Sequence, residues 1–234
     1  MPALRSVPKF SQYIRKIADR HEFPLDVPYA HLRLEMGSFQ PLIIEKVGKH
    51  FVNVGHLTSG DSMPDPIVTF WINPQNGNWY PAISRMLADG GYPEQLITFA
   101  DDTPKTFFAL SQHDVAGFCE GMWLSALKGQ KRLENSEPSW RMDPDKSYIL
   151  RPDAAPEVIV PRSGTFTLNE MRDVVQDRIA FMYLEANYRL IVGDEMLLPN
   201  EPDWNDLASR LAGGAPVAGP VLFTNETFLR SGDE

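Results

Sequence analysis

Between Ala30 and Ile83 the apolar residues of this chain recur with period two, in short runs separated by turn residues. In Ala30–Met36, Leu32, Leu34 and Met36 alternate with His31, Arg33 and Glu35, the pattern of a strand with one face buried. Leu42–Val47 and Phe51–Leu57 flank Gly48-Lys49, a hairpin turn. Ile67–Ile72 follows, then the polar loop from Asn73 to Asn78, then Trp79–Ile83. Runs this short and closely spaced bury their apolar faces together as an antiparallel meander, expected to hold about four or five strands. In front of it, Phe10, Tyr13, Ile14 and Ile17 fall at helical spacing and predict a short amphipathic helix ending near His21.

A helix is predicted after the meander. Ser111 with Asp114 reads as a weak capping box, and Val115, Phe118, Cys119, Met122, Ala126 and Leu127 form one apolar stripe behind it. Gly117, Gly121 and Ser125 lie on an adjacent face, where close backbone approach by a neighbouring element would offset the helix cost of glycine. Residues 134–147 read as a polar, proline-broken linker. Beyond it, Tyr148–Leu150, Glu157–Val160, a helix opened by the capping box Thr167/Glu170, a hairpin of Ile179–Leu184 with Tyr188–Val192, a helix over Trp204–Leu211 and a strand at Pro220–Phe223 give the order β-β-α-β-β-α-β. The expected class is therefore α+β: residues 1–133 an antiparallel meander sheet with flanking helices, residues 134–147 a linker, and residues 148–234 a smaller acidic α+β module with a frayed end.

Composition narrows the function classes. The 43% hydrophobic and 23% charged fractions are those of a soluble globular chain. No apolar run approaches the ~20 residues of a membrane span, and MPALRSVPKF lacks the apolar core of a secretory signal, so a cytoplasmic protein is expected. The lone Cys119 leaves no partner for an internal disulfide or a cysteine-rich zinc cage. Residues 1–140 hold 13 Lys/Arg against 15 Asp/Glu, whereas residues 141–234 hold 9 against 16. Nucleic-acid affinity rests largely on Lys and Arg displacing counterions, so the acidic second half disfavours such a ligand. It suits a basic protein partner or simple solubility.

The segment GHLTSGDSMPDPIVTFWINPQNGNWYP (residues 55–81) concentrates the polar and aromatic residues of the first half. With His56, Gly60, Asp61, Met63, Asp65, Pro66, Phe70, Trp79, Tyr80 and Pro81 it resembles the signature of the family known as domain of unknown function 6908. Leu57 departs from that pattern, which has an aromatic residue there. Through the helix around Phe118–Gln130 the resemblance spans roughly residues 30–133. Residues 148–223 resemble domain of unknown function 3846 in the Arg151-Pro152 strand end, the Thr167-Leu-x-Glu170 helix start, the Tyr188–Val192 strand, Asn200 and the Gly219-Pro-Val-Leu strand. Both families occur mainly in phages, plasmids and integrative elements. The resemblance implies an accessory protein of a mobile genetic element, acting on the host or countering its defences, and transfers no biochemical activity.

Few residues offer chemistry. His56, Asp61 and Asp65 form a candidate polar site, since one imidazole and two carboxylates could hold a hard divalent cation that activates water for hydrolysis. Loop aspartates beside Gly and Pro equally serve turn geometry, and that structural reading is preferred. Gly55-His-Leu-Thr-Ser-Gly60 has the glycine spacing of a phosphate loop, but Asp61 stands where a cation belongs, so nucleotide binding is rejected. Cys119 on the apolar stripe is read as core, not nucleophile. Lys128, Lys131 and Arg132 at a helix end are thin support for a nucleic-acid patch. Trp71, Trp79 and Tyr80 are either core or the anchors of a partner surface, because period two puts Trp71 and Phe70 on opposite faces. The expectation taken forward is a non-enzymatic binder of a host or defence-system protein, with Trp71, Trp79 and Tyr80 as anchors, and no catalytic set, metal or cofactor assigned.

Overall fold

The computed structural model describes residues 3–57, 64–86, 93–100, 103–194 and 203–229. Its first helix, α1 (Pro8–Arg20), begins with Pro at the first helical position, where the missing N–H costs nothing, and buries the predicted stripe of Phe10, Tyr13, Ile14 and Ile17. Five strands follow as an antiparallel meander: β1 (His31–Met36), β2 (Phe39–Lys46), β3 (Phe51–Leu57), β4 (Pro64–Ile72) and β5 (Trp79–Arg85). A two-residue strand, β6 (Glu94–Gln95), extends the sheet beyond β5. The hairpin β7 (Ile97–Ala100) and β8 (Thr103–Phe107) forms a separate small sheet. Helices α2 (Ala109–Phe118), α3 (Leu124–Gly129) and α4 (Arg132–Asn135) come next, then β9 (Glu137–Met142), which completes a seven-stranded sheet in the order β6-β5-β4-β3-β2-β1-β9.

Two expectations for the helical segment are corrected. α2 starts at Ala109 behind Phe108, with no side-chain cap, so Ser111 and Asp114 lie inside the helix and form no capping box. Between α2 and α3 the backbone makes a π-helical turn over Cys119–Trp123. Such a turn inserts one residue into the helical repeat. The inward position expected for Met122 passes to Trp123, leaving Met122 72% exposed while Trp123 and Leu127 are buried. The glycine face is also not a close-packing seam. A Cβ on Gly121 would meet nothing within 4 Å, and one on Gly117 only the Arg5 side chain at 3.6 Å.

The chain divides into two compact units after Ser139, within the stretch 134–147 read as the linker, part of which is taken up by α4 and β9. The second unit holds β10 (Ser147–Leu150), β11 (Glu157–Ile159), α5 (Leu168–Val175), β12 (Ile179–Tyr183), β13 (Tyr188–Gly193), α6 (Asp206–Leu211) and β14 (Val221–Asn225). Its five strands pair antiparallel in the order β11-β10-β14-β13-β12. The class is α+β. Met171 and Val175 of α5 pack with Ile191 and Leu222 from the central strands. Buried Asn205 ties α6 to the sheet, its Oδ1 accepting from the Ala208 N–H while its Nδ2 donates to the Leu150 and Gly219 carbonyls.

The Thr167/Glu170 capping box forms as its sequence predicts. Glu170 accepts from the backbone N–H groups of Thr167 and Arg162 and from the Thr167 hydroxyl. These bonds, with the nearby Arg162 charge, hold its carboxyl down at about 2, from an ordinary value of 4.5. A lowered carboxylate pKa stabilises the fold fully above the unfolded value, and that contribution fades as pH falls toward the folded one. An acid titration of unit stability, followed through the amide resonances of α5, is expected to fall between pH 4.5 and 2. Glu170→Gln should flatten that limb; an unchanged limb would place the acid sensitivity elsewhere.

Candidate functional site

The two faces of the large sheet place the residues of the 55–81 segment in different surroundings. One face carries Leu34, Leu42, Ile44, Val54, Val68 and Phe70 toward the main core, which also contains α1 and the α2–α3 segment. His56 pairs with Leu42 across the strands and shares this side. It is 7% exposed, with its ring centroid 6.0 Å from that of Trp123. Asp61 lies outside the described residues, as does the side chain of Asp65 in β4. Among the described residues no group of three His, Cys, Asp or Glu side chains is placed to hold a metal.

Trp79 is on the helix-facing side as well, fully buried, 5.6 Å from Phe70 and with the Arg15 guanidinium 5.2 Å from its ring. Trp71 faces the opposite way, yet is only 4% exposed. Tyr80 packs on it at 5.6 Å, and Phe99 of the β7–β8 hairpin at 5.8 Å. The expectation that these rings anchor a partner is corrected for both tryptophans, because an anchor must present area to a partner and these present almost none. Tyr80, half-buried, keeps the most accessible surface of the three. The hairpin was not foreseen, and Phe99 is the cover that lets both faces of β4 carry large aromatics.

Two further sequence candidates resolve as structure. Cys119 is buried, and burial pushes its thiol well above the ordinary cysteine value, as the core reading requires. The basic trio does not make a patch. Arg132 is fully buried, donating to the Gln40 carbonyl at 2.6 Å and to Gln130 at 2.8 Å, while Lys128 lies over the Tyr13 ring at 5.8 Å.

On the second face of the sheet a polar row crosses four strands. His31, Glu45, Asn53 and Thr69 are successive register partners on β1, β2, β3 and β4. His31 Nδ1 meets Glu45 Oε1 at 2.7 Å, Asn53 Nδ2 donates to Glu45 Oε2 at 3.1 Å, and the Thr69 hydroxyl donates to Asn53 Oδ1 at 2.8 Å. A carboxylate-oriented imidazole is a catalytic arrangement when substrate can reach it. Here His31 and Glu45 are both wholly buried, so the row acts on the fold. A slip of one residue between neighbouring strands would put a charged or amide group against apolar partners, so the row fixes their register.

The second unit carries an open recess of about 650 Å³. Apolar Ile149, Ile159, Val174 and Pro220 line it together with half-buried Glu170 and, at its exposed rim, Arg162, Asp173 and Asp203. Arg151, also on the rim, is paired with Glu157. β11 closes one side of the recess and is the terminal strand of its sheet. Val160 of the lining is 77% exposed; Val158, on the face of β11 opposite Ile159, is 52% exposed. Sequence reasoning read Glu157–Val160 as a strand beside Tyr148–Leu150; it is terminal because the other edge of β10 is taken by distant β14, a pairing with no local signal.

Comparison of the chain with models of known families, with curated proteins and with solved structures finds no match. No helix among the described residues is long and apolar enough to cross a membrane.

Proposed function

We propose that this chain is a protein-binding accessory factor whose partner contact is the recess of the second unit. The observation that carries this reading is the recess itself, where Ile149, Ile159, Val174 and Pro220 lie among the exposed carboxylates of Asp173 and Asp203, with exposed Val160 beside them. Concave surface that combines apolar side chains with oriented polar groups is the usual form of a binding site. The surrounding residues 141–234 hold 9 Lys/Arg against 16 Asp/Glu, which favours a basic partner and speeds its encounter. The family resemblance of both halves adds the setting to the proposal: a mobile-element protein that engages a host or defence-system protein. The contact surface moves away from Trp71 and Trp79, which are buried.

The test is affinity capture of the tagged protein from host lysate after nuclease treatment, beside the variant Asp173→Lys/Asp203→Lys. Both aspartates are exposed, so the variant should fold. A stoichiometric protein retained by the wild type and lost by the variant is the expected result. An empty capture, or equal retention by both, overturns the reading.

A further inference from the structure

We infer that the recess receives an extended basic segment of the partner, which adds as a sixth strand alongside β11. This rests on the proposed function and specifies how the site is used. The terminal strand of a sheet leaves half of its backbone N–H and C=O groups without a strand partner, and these can pair with an incoming extended chain. Proteins protect such edges with charge, shortness or proline. Here Pro156 and Pro161 bracket Glu157–Val160, so the pairing surface is limited to four residues. That length suits a short peptide and resists open-ended association of sheets. Within this window the exposed side chains include Val158 and Val160, an apolar surface that edge protection alone would not select.

The recess dictates the chemistry of the incoming strand. Ile149 and Ile159 share the sheet face that packs on α5, and with Val174 they line the space beside the edge. A strand laid along β11 would point alternate side chains into this space, about 6.5–7 Å apart. One of them should be apolar, to cover Ile159 and Val174. The next, two residues along, should be Lys or Arg, to meet Asp173. Arg151 does not oppose this cation, because Glu157 pairs with it. Arg162 does not oppose it strongly either, because its charge lies beside the Glu170 carboxylate in the same lining.

The experiment uses the full chain and a set of seven-residue peptides with threonine on one face and, on the other, Val, Ile or Leu two residues before Lys. Binding is read by fluorescence anisotropy, and the contact by hydrogen exchange of the Glu157–Val160 amides. Expected are saturable binding, protection of those amides, at least tenfold weaker binding when Lys is replaced by Glu, and a similar loss with Asp173→Lys. A central proline in the peptide should abolish binding. Equal affinity for the Lys and Glu peptides, or binding without protection of β11, overturns the inference. So does a failure of every peptide to bind. If capture still depends on Asp173 and Asp203 in that case, the recess remains the contact and only strand addition is lost.

Discussion

Glu45→Ala is expected to lower the unfolding free energy of the first unit by about 3–5 kcal/mol, the usual cost of removing one member of a buried charged pair. The carboxylate is fully buried, with Oε1 2.7 Å from His31 Nδ1 and Oε2 accepting from the Asn53 amide. Alanine leaves two buried donors facing a void, and each orphaned donor costs about 1–3 kcal/mol. Glu45→Gln should cost much less. Its amide keeps one acceptor, and the Asn53 amide can rotate so that its nitrogen faces the Thr69 hydroxyl, which accepts as readily as it donates. Replacing His31, Glu45 and Asn53 together by leucine should return most of the lost stability, since well-packed apolar substitutes for buried ionic groups are often neutral or better. Urea unfolding followed by tryptophan fluorescence reads this unit well, because Trp71, Trp79 and Trp123 lie in it and only Trp140 and Trp204 lie beyond Ser139. A Glu45→Ala loss below about 1 kcal/mol would mean that water reaches the row and that its bonds are replaced on mutation.

That row also marks where the sequence stops being legible. The alternation of Leu32, Leu34 and Met36 with His31, Arg33 and Glu35 correctly separates two faces of β1, and by that pattern the His31 face is the wetter one. His31 is nevertheless buried, because its partner Glu45 arrives through strand pairing and no local pattern announces a bond between residues on different strands. The Thr167/Glu170 box was legible for the opposite reason. It is complete within four residues, so nothing distant can override it. Ser111 and Asp114 have the same spacing but fail, because the helix starts earlier, at Ala109. The π-helical turn is similarly silent: one inserted residue exchanges Met122 for Trp123 on the buried side, and the apolar stripe reads well in either register. The β7–β8 hairpin carries Thr98, Thr103, Pro104, Lys105 and Thr106, too polar for a core strand. Its role is to deliver Phe99 onto Trp71 and Phe51, a contact visible only in three dimensions.

Trp79→Ala is expected to cost about 3–5 kcal/mol, the range for truncating a large buried aromatic. The ring is fully buried, packs on Phe70 at 5.6 Å and receives the Arg15 guanidinium, so its removal opens a cavity between β5 and α1. Its indole Nε1 has no hydrogen-bond partner among the described residues, so Trp79→Phe loses volume but no bond. That variant should cost only roughly 1–2 kcal/mol and leave the protein folded. The pair of variants separates a core residue from a partner anchor. For an exposed anchor, truncation would shift stability by no more than about 0.5 kcal/mol and strike binding instead. Here the prediction is reversed: stability falls steeply with alanine, while Trp79→Phe captures its partner as fully as the wild type. Tyr80→Ala should lie between, because the ring is half-buried and removing it uncovers Trp71 without emptying the core. A stable Trp79→Ala protein that had lost its partner would return the contact surface to the β4–β5 segment and take it away from β11.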